Sequence, residues 1–170
     1  MSPAEHVQRR PRVAELLQGV AGLDWQGDAA PLADEGPGDL VRFLGLAEQM
    51  ARLVSRVHER GVTHGDLRPG NFRRRDGEIL LAGFHHAVTF EVDHSGFAPL
   101  DRLPADVAYL APEQTGRMNR PVDHRADLYA LGGTLYRLAT GRAPFPGRDR
   151  SALIHAHLAK EPRPPSELAP

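Results

Sequence analysis

The stretch RADLYALGGTLYRLATG, Arg125 to Gly141, limits the folds open to this chain more than any other segment. It is apolar on nearly every side, and a helix without a polar face has to lie in the middle of a domain with other elements packed around it. One carboxylate, Asp127, interrupts it. A charge in such surroundings is costly unless several donors converge on it, so Asp127 is expected to hold a neighbouring piece of backbone in place. The starting expectation is a domain built around a buried helix that grips a second segment through one acid.

Another helix is spelled out from Asp39 onwards. Leu40, Phe43, Leu44, Ala47, Met50, Ala51, Val54 and Val57 recur at steps of three and four, the period of an amphipathic helix of about 20 residues and about 30 Å. Arg60 suits its C-terminal end and Gly61 its cap. The next stretch, VTHGDLRPGN from Val62 to Asn71, is too polar and too rich in Gly and Pro for a regular element. After it, NFRRR, the turn pair Asp76-Gly77 and EILLAGF predict two short strands joined by a turn, with Ile79, Leu80 and Leu81 in the second. Residues 85–108 keep no period, and a loop of that length in a compact domain is usually functional or disordered. SALIHAHLAK predicts a last helix, followed by the Pro-rich EPRPPSELAP. Ahead of all this, VAELLQGVAGL allows a short helix while DWQGDAAPLADEGPG reads as loop. Residues 1–38 are therefore expected to form a poorly structured segment in front of one domain over 39–170.

Composition narrows the function classes. A chain of 170 residues can bury about 70 % of its unfolded surface, enough for one real core. Its net charge of -1 gives no general attraction to nucleic acid or to an anionic membrane. With no cysteine there are no disulfides or thiolate metal sites, which fits a reducing, cytoplasmic setting. No apolar run approaches the roughly 20 residues that span a bilayer, and MSPAEHVQRR lacks the apolar centre of a secretory signal. Neither nucleic acid nor membrane is an expected partner. Among the 21 basic residues only one is a lysine, Lys160.

Taken in order, His64-Gly65-Asp66-Leu67 with Asn71 four residues on, a strand ending near Phe84, a long loop, Ala111-Pro112-Glu113 and the helix carrying Asp127 resemble the C-terminal lobe of a protein kinase. There the catalytic loop reads H-R-D-L-x-x-x-N and the activation segment ends in A-P-E. APEQTGRMNRPVDHRADLYALGGTLYRLATGRAPFPGRD, followed by LIHAHLAKEPRPP, is similar to the serine/threonine-kinase-like domain of large bacterial multi-sensor signalling proteins, which also carry an ATPase module and a histidine kinase. The resemblance runs from about Asp39 to the end and implies an incomplete kinase-like fold: the C-lobe only, mainly α with a small β-hairpin. It also implies Mg-ATP as cofactor, with Asp66 accepting the proton of a substrate hydroxyl, Asn71 as a magnesium ligand and Arg68 where the family usually has a lysine near the transferred phosphate. Phosphoryl transfer asks the protein mainly for positioning and charge neutralisation. Arg68 keeps the charge with a different shape. His64, Glu113 and Asp127 would be structural, His64 by packing and hydrogen bonding.

The departures from the family pattern are as informative as the matches. Laying GEILLAGFHHA on the family's strand and D-F-G puts Gly83 at the aspartate, Phe84 at the phenylalanine and His85 at the glycine, so the metal-holding carboxylate is missing. Asp76, in the turn before the strand, does not replace it. No G-x-G-x-x-G occurs, a V-A-I-K-like strand is impossible when Lys160 is the only lysine, and 38 residues are too few for a five-stranded nucleotide lobe. Gly65 replaces the arginine that often links this loop to a phosphorylated activation segment. At the other end, the family's arginine partner for Glu113 has no counterpart, which leaves Arg142, Arg125 or solvent.

Two outcomes follow. The first is a pseudokinase, or a truncated remnant, whose role is to bind a protein through an apolar surface exposed on the nucleotide side. The alternative is an active Ser/Thr protein kinase completed by a partner chain. Lesser candidates are a metal site at His85 and His86 with His94 as third ligand, an anion site at RRRDGE, and phosphoacceptors at Thr89, Ser95 and Thr115; a solvated loop, a solvated hairpin tip and ordinary hydroxyls are the respective simpler readings.

Overall fold

The computed structural model describes residues 12–24, 29–32, 38–90, 103–104, 106–118 and 120–169. The first long element is helix α1 (Leu40–His58), which Asp39 starts by accepting a hydrogen bond from the Arg42 amide at 2.9 Å. Its apolar period turns Leu46, Met50, Leu53, Val54 and Val57 into the core. Gly61, just past its end, takes φ +68°, a backbone conformation that glycine enters without strain.

The hairpin consists of β3 (Phe72–Arg75) and β4 (Glu78–Leu81), paired antiparallel from Phe72 opposite Leu81 to Arg75 opposite Glu78. Asp76 at φ +51° and Gly77 at φ +85° turn the chain between them, the two positive values that a two-residue hairpin of this hand requires. Two further pairings had no signal in the sequence. Strand β1 (Ala30–Pro31) adds to the outer edge of β3, giving the order β1-β3-β4, and β2 (Val62–Thr63) pairs with β5 (Val88–Thr89).

Helix α2 (His124–Thr140) starts at Asp123 and ends at Gly141, whose φ of +74° closes it in the left-handed region. Its Ala130, Leu131 and Leu138 share one core with α1, the hairpin and Leu67. Burial on every side does not hold, however: Leu128 is 53 % exposed and Tyr129 38 %. Helix α3 (Arg150–Ala159) covers a second, smaller core of Leu103, Val107, Leu110, Phe145, Leu153 and Ile154. The Pro-rich end runs back along α2, where the Tyr136 hydroxyl donates to the Arg163 carbonyl at 2.8 Å.

Ahead of α1, the described residues pack against the domain. Residues 12–16 are helical, and Val13, Leu17 and Leu32 are buried in the main core beside Phe72 and Leu81. The chain at 22–24 also bonds to β4, with Leu81 N–H donating to the Gly22 carbonyl and Asp24 N–H to the Leu81 carbonyl. Three apolar anchors separated by Gly- and Asp-rich turns have no period to read, but each finds a place among residues far along the chain. Asp24, almost fully buried, accepts from Arg75 at 3.2 Å and lies 4.0 Å from the Arg73 guanidinium. Two arginines of RRRDGE thus secure this segment, in place of the solvated tip expected for them.

If residues 12–17 are part of the core, Leu17→Ala destabilises the chain as any buried truncation does, by about 2–5 kcal/mol. Urea unfolding measures this, and a loss under about 0.5 kcal/mol, the range of surface substitutions, would show the segment to be dispensable.

Candidate active site

Asp127 projects from the first turn of α2, at 1 % exposure, beneath the loop that follows β2. Its carboxylate accepts from the His64 backbone N–H at 2.7 Å and the Gly65 N–H at 2.8 Å, and its Oδ2 also lies 2.8 Å from His58 Nε2 at the end of α1. Three donors and the positive end of the helix dipole meet the need of a buried charge. A second tie from α2 is Thr134, whose hydroxyl donates to the Leu67 carbonyl at 2.8 Å.

His64 is buried between the loop and the end of β4. Its Nε2 donates to the Ala82 carbonyl at 2.9 Å and its Nδ1 accepts the Asp66 N–H at 3.2 Å, a pattern that only the neutral ring with its proton on Nε2 can make. Burial lowers its pKa, against the opposing charge of Asp127. Its ring also packs on Phe84, with centroids 4.6 Å apart.

These ties place Asp66, Arg68 and Asn71 together. Asn71 Nδ2 donates to both the backbone carbonyl of Asp66 (2.8 Å) and its carboxylate Oδ2 (2.9 Å), and Arg68 Nε reaches the same Oδ2 at 3.2 Å. The Asp66 carboxyl is raised to about 6, chiefly by burial; the Arg68 charge and the bond from Asn71 act against that shift. It can take up a proton in a range where ordinary aspartates cannot.

Gly83 stands across from Asn71, at the end of β4, with φ +82°. A Cβ built there would overlap the Asn71 amide, with Cγ at 2.5 Å and Nδ2 at 2.8 Å. Gly65 is similarly confined at φ +79°, where a Cβ would meet the His86 carbonyl oxygen at 2.7 Å. At Gly65 the obstacle is backbone, whereas at Gly83 it is the Asn71 side-chain amide.

The segment after the long loop is tied in by Gln114, which the sequence did not single out. Its Nε2 donates to the Gly65 carbonyl at 2.9 Å, and its Oε1 accepts from Ala111 N–H at 3.0 Å. The only hint was its place in QTGRMNR; His58 had none. Glu113 forms no ion pair among the described residues. Arg125 closes on Asp123 instead, at 2.8 Å, and only its charge is felt at a distance.

The lesser candidates fare differently. Thr89 and Thr115 are buried, and the Thr115 hydroxyl donates to the Pro112 carbonyl at 2.6 Å, so neither is presented as a phosphoacceptor. His94 and Ser95 lie outside the described residues. Among those described, no three His, Cys, Asp or Glu side chains gather around a common point, near His85 and His86 or elsewhere.

The protein kinase domain family matches residues 40–165, a span that includes the whole loop, Gly83 and both helices that frame them. The chain belongs to the protein kinase family. Its relatives include the serine/threonine-protein kinase Pkn1 of Myxococcus xanthus, 36 % identical over 93 % of this chain and 22 % of that protein. The DNA damage-responsive serine/threonine-protein kinase RqkA of Deinococcus radiodurans is 35 % identical over 82 % of this chain and 20 % of its own length. The hybrid signal transduction histidine kinase G of Dictyostelium discoideum is 57 % identical over 73 % of this chain but only 6 % of that protein. The chain thus spans about a fifth or less of each. The small antiparallel pairings β3-β4 and β2-β5 and the helices around Asp127 belong to that span, and among the described residues no helix is long and apolar enough to cross a membrane.

The residues present do not fit the family's metal. A divalent cation of this type takes carboxylate oxygens, yet Gly83, at the position the resemblance gives to the D-F-G aspartate, supplies none, and among the described residues no three His, Cys, Asp or Glu side chains meet at a common point.

The shifted Asp66 carboxyl has a measurable consequence. Its folded-state pKa lies above the ordinary 3.8, so between about 4 and about 6 the folded chain binds more protons than the unfolded one, and stability falls as pH rises through that window. Carbon-13 titration should place the Asp66 midpoint near 6, and Asp66→Asn should remove the falling component that Asp66 adds across that window, leaving the contributions of the other groups.

Proposed function

We propose that this chain is a protein-kinase-type domain that keeps the loop of a Ser/Thr kinase as a scaffold without its phosphotransfer, and that its remaining role is to bind another protein. In this reading the described residues are a C-lobe, and Mg-ATP, the cofactor the resemblance implies, is not held productively. One observation carries the reading: Gly83, at the position of the metal-binding aspartate, has the Asn71 amide packed against its bare Cα. A metal contributes several kcal/mol of charge stabilisation in this chemistry, and each 1.36 kcal/mol is tenfold in rate, so its loss lowers turnover by roughly two to four orders of magnitude.

The likeness to a hybrid signal transduction histidine kinase supports a place inside a larger signalling protein. A protein-binding role also fits the nucleotide side as it stands. Part of that side is covered by the chain itself, since Val13 and Ala14 close over Gly83, Phe84 and His85 around a cavity of about 190 Å³. A partner there would meet Ala14, exposed beside the buried Val13, and not an open apolar floor.

A second reading, an active Ser/Thr kinase completed by a partner chain, is favoured by the intact grouping of Asp66, Arg68 and Asn71. Radiolabelled ATP with magnesium and a general acceptor protein decides between them. The proposal expects transfer by the purified chain to equal that of Asp66→Asn; transfer that Asp66→Asn abolishes would establish the second reading.

A further inference from the structure

The apolar side chains left open to solvent are not scattered. Among the described residues six large ones are exposed, and five of them belong to one face built on the outer side of α1. Leu40, Val41 and Leu44, at the start of the helix, are 55–81 % exposed. Toward its end Ala51, Val54, Ser55, Phe90, Leu128 and Leu131 line a hollow of about 430 Å³ between α1 and α2, with Glu59 also in its wall. Residues eleven apart on a helix return to nearly the same side, so Leu40 lines up with Ala51 and Leu44 with Ser55. One face therefore carries an apolar projection and, about 16 Å further along, an apolar hollow. Between them Glu48 and Arg52 pair at 2.6 Å, both side chains largely open to solvent.

We infer that this face pairs with the same face of a second copy of the chain, the two α1 helices running antiparallel. A two-fold contact needs a patch that carries both a projection and its complement, and α1 supplies both. With the axis at the level of residue 50, Leu44 of one copy and the Ser55 turn of the other come to the same height, each about 8 Å from the axis. Leu44 then enters the hollow and takes its own surface, with that of Phe90 and Leu128, out of water. The charges agree with the same axis: residues 48 and 52 are equidistant from it, so Glu48 of each copy meets Arg52 of the other. A parallel pairing would set Glu48 on Glu48 and Leu44 on Leu44 and leave both hollows empty. A helix about 28 Å long makes a contact at the low end of specific interfaces, so the pairing is reversible and belongs to the micromolar range. None of Asp66, Asn71 and Gly83, on which the proposed function rests, lies on this face.

Sedimentation equilibrium of the purified chain, from about 1 to about 100 μM, reads the pairing directly. A concentration-dependent equilibrium between monomer and dimer is expected. Leu44→Glu should raise the dissociation constant at least about tenfold, because it carries a charge into the hollow. Glu48→Arg should also weaken the dimer, since it then faces Arg52 of the other copy. Glu48→Arg together with Arg52→Glu should return the constant to within about threefold of its original value. Cross-linking supplies an arm that changes no charge. The chain has no cysteine, so Ala51→Cys, one residue from the axis, should give a disulfide-linked dimer on oxidation. Leu40→Cys should not, because its two copies stand about 30 Å apart. A chain that stays monomeric at about 100 μM, a Leu44→Glu variant that pairs as before, a charge swap that does not restore pairing, or equal cross-linking at 40 and 51 would each overturn the inference. The two proposals fail separately: a chain that stays monomeric and transfers no phosphate removes the pairing and leaves the proposed function standing.

Discussion

Everything placed around the loop depends on one buried carboxylate. Asp127 takes the backbone N–H groups of two successive residues, His64 and Gly65, and an imidazole from the end of α1, so a single side chain joins the two long helices and the loop. Buried amides left without an acceptor cost about 1–3 kcal/mol each. The loop consequently cannot lift away from α2 without exposing or abandoning two of them, and its backbone is held before any ligand is considered. Charge at that depth is tolerable because it sits in the first turn of a helix, where the N-terminal dipole favours it.

From that anchor the arrangement spreads outward. His64, fixed at its backbone, reaches Ala82 and Phe84; Gly65 is held from the other side by Gln114; and Asn71 returns from the far end of the loop to Asp66. The hairpin that carries Gly83 is braced in turn by residues 22–24 and by the Asp24 carboxylate under Arg73 and Arg75. A kinase loop normally shares its organisation with a nucleotide and metal. Here Asp127, Gln114 and Asn71 each hold part of the loop, and together they set the position of Asp66.

Much of this frame could be read from the residues themselves. Helix α1 follows from its period and from Asp39, and the hairpin from Asp76-Gly77, because those signals act over a few residues. Asp127 stood out because an acid inside an apolar helix demands donors, although their identity could not be read. Other features depend on partners distant in sequence and left no local trace: His58 beneath Asp127, Asp24 between two arginines, and Val13, Leu17 and Leu32 filling the core from a segment with no pattern. The apolar composition of α2 overstated its burial at Leu128 and Tyr129, since composition says how greasy a helix is and not which face finds a neighbour. At the site, the resemblance marks Gly83 as a position without its carboxylate, while the Asn71 amide lying against that glycine left no trace in the sequence.

The central claim is that the loop is held by its own contacts and not by a nucleotide complex. Amide hydrogen exchange at His64 and Gly65, compared without ligand and with saturating Mg-ATP, tests it most directly. The account predicts strong protection of both amides in the free chain, unchanged when Mg-ATP is added, because their acceptor is Asp127. Rapid exchange in the free chain that becomes slow only with Mg-ATP would contradict it.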